Sequence, residues 1–122
     1  MNFTIHLPPI TKKNHQQIIR CGGRLMVIPS KQYRQYEKDC KIFMPKCDTI
    51  TTPINVKALF YMPTKRKVDL TNLFEALNDI MVKYQIVEDD NSKIIVSLDG
   101  SRVLYDKERP RTCVEITFLE KE

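Results

Sequence analysis

The sequence predicts a mixed α/β (α+β) fold: a small β-sheet with two main helices, in the order β-β-α-β-α-β-β, as a single domain over residues 1–122. Two patterns and a composition carry that expectation. Apolar and polar residues alternate along residues 54–62 and 112–119, as strands with one buried face require. Between them Leu70, Leu73, Leu77, Ile80 and Tyr84 recur three and four apart, the period of a helix. The chain has 122 residues, 42% hydrophobic and 29% charged, with three Gly and seven Pro. That is enough apolar material for a core and lies outside the disordered and fibrous classes.

Phe3, Ile5 and Leu7 alternate with Thr4 and His6 as a first strand, which Pro8-Pro9 ends. After the polar residues 11–17, Gly22-Gly23 precedes Arg24-Leu25-Met26-Val27-Ile28, the return arm of a hairpin closed by a loose loop; Pro29 stops it. Ser30 is a good N-cap for a helix over residues 30–44, with Tyr33, Tyr36, Cys40 and Phe43 at helical spacing and Pro45 closing it. Residues 54–62 form a central strand ended by Pro63. The helix over residues 69–84 has a stripe widened by Phe74 and Met81, and its opposite face gathers Thr71, Glu75, Asn78 and Asp79. Strands over residues 93–98 and 112–119 follow, with Asp99-Gly100 as a turn.

No apolar run approaches the roughly 18 residues of a membrane span. The first nine residues have neither the basic nor the apolar region of an export signal, so a cytoplasmic location is expected. The four cysteines, Cys21, Cys40, Cys47 and Cys113, form no C-x-x-C pair, and the two histidines are His6 and His15. Free thiols are therefore expected rather than a zinc site. The net charge is +5, which suits an anionic partner without identifying one.

The informative stretch is Lys65-Arg66-Lys67-Val68-Asp69-Leu70-Thr71-Asn72, the helix it opens, and the Glu88-Asp89-Asp90-Asn91 turn behind that helix. Cations stand directly before one carboxylate, and further carboxylates return one helix later. If Asp69 and Asp90 converge, their mutual repulsion calls for a cation, and oxygen donors suit Mg²⁺, with Mn²⁺ able to replace it. Such an ion holds a scissile phosphate and activates water, while the neighbouring Lys and Arg hold flanking phosphates. Each piece also has a plainer reading. Asp69 can be the helix N-cap, its oxygen accepting the Asn72 N–H; residues 89–92 can be a solvated turn; Lys65-Arg66-Lys67 can be a wet loop rim; and Asp79 reads as wet helix surface.

These residues resemble the RusA family of Holliday junction resolvases, whose hallmark is a basic run, an Asp-x-Asp-Asn segment opening a helix, and an Asp-Asp turn after it. Leu7-Pro8-Pro9 followed by Asn14, the Gly23-Arg24 pair and the helix start at residues 30–34 are similar to that family in order and spacing, so the resemblance covers nearly the whole chain. It implies a homodimeric, Mg²⁺-dependent endonuclease that recognises branched four-way DNA and nicks two opposed strands symmetrically. Carried over by position, Asp69 and Asp90 are the implied catalytic metal ligands and Asn72 the asparagine that follows. Thr71 stands where the family has a second aspartate, and Glu75 where a functional lysine usually stands. Glu75 lies one turn beyond Thr71, so its carboxylate is the expected replacement acid, with Thr71 holding a water or phosphate. Relatives with this divergent Asp-Leu-Thr-Asn form also carry the segment Asp99-Gly100-Ser101-Arg102, which implies a compensating role for Asp99.

The leading function is thus a metal-dependent endodeoxyribonuclease resolving Holliday junctions in DNA recombination and repair. Asp69, Asp90 and Glu75 are its catalytic set, Thr71, Asn72, Asp99 and Lys93 assist, and Lys65, Arg66, Lys67, Lys12, Lys13, Arg24 and Arg102 contact DNA. The alternative is a junction- or duplex-binding module that has lost cleavage, because two family positions are altered while the basic surface remains. A restriction-type nuclease fits less well: Val68 stands where that signature needs proline and Asn91 where it needs an acid.

Overall fold

The computed structural model describes residues 1–12 and 16–119, with the backbone alone for residues 16 and 17. Lys13 and Asn14 lie outside the described residues. The main sheet has five strands. β1 (Asn2–Ile5) is antiparallel to β7 (Arg111–Phe118), which is antiparallel to β4 (Ile54–Met62). The far side of β4 carries two short parallel strands end to end: β5 (Ile95–Ser97) beside its start and β6 (Arg102–Tyr105) beside its finish.

The alternation read along β4 holds: Ile54, Val56, Ala58 and Phe60 are all 2% exposed or less, and the residues between them are half-buried. Cross-strand register puts Val56 opposite Ile116 and Ala58 opposite Val114, with Phe3 on β1 opposite Val114, so one sheet face is continuous core. On it lies α2 (Leu70–Lys83), which buries Leu73, Phe74, Leu77, Ile80 and Met81. The Phe60 and Phe74 rings meet edge to face at 5.2 Å. Tyr33 and Tyr36 of α1 (Lys31–Asp39) join the same core.

Ser30 caps α1 as its sequence position predicts, its Oγ accepting from the Tyr33 N–H at 3.1 Å. The α-helix ends at Asp39, earlier than expected, and continues as a 3₁₀ turn over Cys40–Phe43. The tighter winding absorbs the approach to Pro45, whose ring disfavours a helical residue before it. α2 closes on a Schellman motif: the Ile86 N–H reaches the Met81 carbonyl at 2.8 Å and the Gln85 N–H that of Val82 at 3.1 Å. Gln85 takes the left-handed conformation, φ 59°, that this stop requires.

Two strands go beyond the expected order. β2 (Gln16–Cys21) and β3 (Arg24–Pro29) form a separate two-stranded sheet. Its turn is not the loose loop expected but the two residues Gly22 and Gly23, with φ 57° and 82°, the tight hairpin turn that two glycines permit. β6 follows the Asp99-Gly100 turn, because Arg102–Tyr105 finds free backbone along the second half of β4. The strand expected over residues 93–98 contracts to Ile95–Ser97, since Asn91 accepts the Ile94 and Ile95 N–H groups in a turn. No helix is long and apolar enough to cross a membrane among the described residues.

Candidate active site

The loop from β4 to α2 sets the first part of the site. Val68 packs against the core, which anchors the loop, while Lys65, Arg66 and Lys67 before it are exposed. The Lys65 Nζ lies 5.2 Å from the centre of the Tyr105 ring on β6, an attraction that holds the cation over the sheet edge.

Asp69 occupies the N-cap position of α2, but its carboxylate does not cap. The Asn72 and Leu73 N–H groups donate instead to its backbone carbonyl, at 3.1 and 3.2 Å. Among the described residues the carboxylate accepts the Asn72 side-chain amide, at 3.3 Å. The capping reading of Asp69 therefore fails in its detail: the Asn72 N–H goes to backbone rather than to the carboxylate, and the acid is left exposed toward solvent and steadied by Asn72. Thr71 and Glu75 follow on the exposed surface of the helix.

Two adjacent aspartates behind the helix have opposite roles. Asp89 organises the turn: its carboxylate accepts the Asp90 N–H at 2.8 Å and the Asn91 side-chain amide at 3.0 Å. These bonds, the backbone one first, hold its carboxyl below the ordinary aspartate range. The Asp90 carboxyl is held above that range, by partial burial first and then by its contact with Asp89 and the charges of Asp89 and Asp79, although the residue as a whole is exposed. Lys93 is exposed, its backbone N–H tied to the Asn91 Oδ1 at 2.9 Å.

Asp79, read from sequence as wet surface, is part of this region. Its carboxylate accepts from the Lys12 Nζ at 2.7 Å, with both side chains about a third exposed. The Lys12 ammonium is raised above its usual range by that hydrogen bond first, with the charges of Asp79, Glu75 and Glu37 adding to it. Lys12 thus reaches the helix face from the loop after β1. Continuing the Thr71–Glu75 spacing by four residues reaches Asp79, a signal available in the sequence; its ammonium partner, 67 residues away, was not.

Asp69 stands at the start of α2 and Asp90 in the turn behind it. Asp90 lies within electrostatic reach of Asp79, while Asp69 opens the helix ten residues, about 15 Å of axis, before Asp79. Glu75 lies between these ends. Among the described residues no three Asp, Glu, His or Cys groups converge to hold an ion. The donors are nonetheless all oxygen, and the Asp90 carboxyl is one that a nearby cation would relieve. Such a set fits Mg²⁺, which binds through one or two carboxylates, waters and substrate phosphates rather than a closed protein cage.

Asp99 sits at the break between β5 and β6. Asn55 on β4 clasps its backbone, accepting the Asp99 N–H at 2.8 Å and donating to its carbonyl at 3.2 Å. Beside it the Ser101 Oγ accepts the Ala58 N–H at 3.1 Å, filling the gap left in the ladder. Arg102 is exposed at the start of β6, and Arg24 at the hairpin turn. The four cysteines are free, and burial pushes the Cys40 thiol up to about 12. The family model described as endodeoxyribonuclease RusA matches residues 6–117 of the chain, and no curated protein matches it.

Proposed function

The chain belongs to the RusA endodeoxyribonuclease family, and from that premise we propose that it resolves four-way Holliday junction DNA by paired symmetric nicks, dependent on Mg²⁺ or Mn²⁺, as a cytoplasmic homodimer. The observation that carries this is the Asp69 carboxylate: it stands at a helix start without capping it, directly behind Lys65, Arg66 and Lys67. An acid released from its structural task and placed beside cations is suited to a phosphodiester.

Asp69 and Asp90 are the carboxylates assigned to the ion, with Glu75 on the helix between them as the replacement for the family acid missing at Thr71. A divalent cation there supplies charge neutralisation at a phosphate oxygen and a lowered pKa for water. Lys65, Arg66 and Lys67 hold the phosphates that flank the scissile one, and Arg102 extends that surface along β6. Asn72 keeps the Asp69 carboxylate in its rotamer through the side-chain amide contact. Lys12, on Asp79, offsets part of the negative charge of the helix face before DNA arrives. Two opposed cuts need two such sites, and a two-fold dimer matches the two-fold substrate.

The test incubates the protein with a labelled synthetic four-way junction and a linear duplex of the same sequence, in Mg²⁺, Mn²⁺ or EDTA, beside Asp90→Asn and Glu75→Gln. Paired nicks in the junction alone, absent in EDTA and lost in Asp90→Asn, bear the proposal out. Loss in Glu75→Gln as well assigns that residue the replacement role. Binding without cutting in every metal makes the chain a junction-binding module whose Thr71 and Glu75 mark a lost active site.

A further inference from the structure

The β2–β3 hairpin exposes an apolar face. Its register sets Ile18 opposite Val27 and Arg20 opposite Leu25, so these four share one face of the ribbon. Ile18, Leu25 and Val27 are 69%, 70% and 62% exposed, although such side chains seldom lie together in water without a partner. The hairpin is not part of the main sheet, and its two-glycine turn ends in Arg24.

Charge says what covers this face. The hairpin, residues 16–29, carries Arg20 and Arg24 and no Asp or Glu. A surface that is both apolar and purely cationic fits a polyanion that also offers apolar faces, and DNA has these where base pairs are unstacked. A second copy of the hairpin fits poorly, since face-to-face packing sets one cationic ribbon against another.

We propose that the β2–β3 hairpin is a wedge for the branch point of junction DNA, with Ile18, Leu25 and Val27 against the base pairs unstacked there and Arg20 and Arg24 on the adjacent phosphates. This rests on the junction-cutting reading above and gives it a discriminating element. Proteins that kink DNA insert apolar side chains between base steps in the same way, and a two-stranded ribbon is narrow enough to enter a groove.

The experiment measures binding of the full chain, in EDTA, to a four-way junction carrying 2-aminopurine at the branch point and to the matching linear duplex. Ile18→Ser/Leu25→Ser/Val27→Ser is expected to lower the junction-to-duplex affinity ratio about tenfold and to remove the fluorescence rise at the branch point. Arg20→Gln/Arg24→Gln is expected to weaken both substrates and to flatten the salt dependence. The substituted positions are all exposed, so an unchanged circular dichroism spectrum is expected, and the single Leu25→Ser repeats the measurement if the triple variant aggregates. The wedge is overturned if the serine variants keep both the ratio and the fluorescence change. It is also overturned if they convert a wild-type dimer to a monomer by light scattering, which makes the face a subunit contact, or if the hairpin binds anionic vesicles in preference to the junction. If the unsubstituted chain binds junction and duplex equally, the junction reading itself fails and the wedge with it, an outcome distinct from the others because it needs no variant.

Discussion

Asp90→Asn is expected to make the protein more stable while removing its cleavage activity. The fold holds the Asp90 carboxyl above the ordinary aspartate value of 3.8, so ionising it costs the folded state more than the unfolded one. The penalty is present in full at neutral pH, shrinks as pH falls through the folded value, and vanishes only well below 3.8, where both states are protonated. Partial burial is its first cause and the contact with Asp89 the next, and the like charges of Asp89 and Asp79 add to them. At a solvent-screened site each such neighbour costs about 0.2–0.5 kcal/mol, so asparagine relieves about 0.5–1 kcal/mol. For a domain of this length that raises Tm by about 2–4 °C. The backbone N–H that Asp90 donates to Asp89 is untouched by the substitution, so the turn is retained. Urea unfolding at pH 7 in low salt, repeated in 1 M NaCl and at pH 3.5, is the assay. The gain should shrink in salt and fall to a minor fraction at the lower pH. Magnesium adds a second reading: at ten times its dissociation constant it should stabilise the wild type by about 1.4 kcal/mol and the variant by much less. An Asp90→Asn protein no more stable than wild type at pH 7, or one whose gain persists in full at pH 3.5, refutes the electrostatic account.

Three other substitutions test separate parts of the structure. Asp69→Asn should leave Tm within about 1 °C, because the carboxylate does not cap α2, while cleavage of a four-way junction falls at least about 100-fold; a loss of about 1 kcal/mol in urea would restore the capping role. A double-mutant cycle of Lys12→Gln with Asp79→Asn should give a coupling of about 0.5 kcal/mol at pH 7, the range of a part-exposed pair. Because the Lys12 value is raised on folding, that coupling is complete below about pH 10.5 and is lost as pH rises through the folded value. Gln85→Gly should raise stability by about 0.5–1 kcal/mol in thermal melts, by relieving the left-handed backbone at the end of α2.

The elements legible in the sequence were those whose pattern comes from one buried face. The alternation of β4 and the three-four stripe of α2 are imposed by the core they share, and both appear as read. The main sheet extends where pattern is silent. β6 forms because β4 has backbone left to pair, although Val103 and Tyr105 are too exposed to leave a burial signal. β2 was hidden because the hairpin is not packed as a core strand. At the site, chain order pointed to Asp69 and Asp90 as individual positions. What it could not supply was the partition of tasks between neighbours: Asp89 holding the turn while Asp90 stays raised, or a lysine from the first loop seated on Asp79. Those depend on which donors arrive from elsewhere in the fold.

The pairing of the main sheet also bears on how the protein is made. β1, at its beginning, is held by β7 near the end of the chain, with Phe3 opposite Val114, and β4 takes its long antiparallel partner from the same strand. A ribosome adding about 5–20 residues per second therefore exposes Phe3, Ile5 and the apolar row of β4 for several seconds before their cover exists. The hairpin and the helices can form locally in that interval, but the sheet closes only once β7 has left the exit tunnel. Folding should accordingly be slow for the chain's size, on the millisecond-to-second scale of long-range β pairing, and nascent chains truncated before Arg111 should depend on chaperones that full-length chains no longer need.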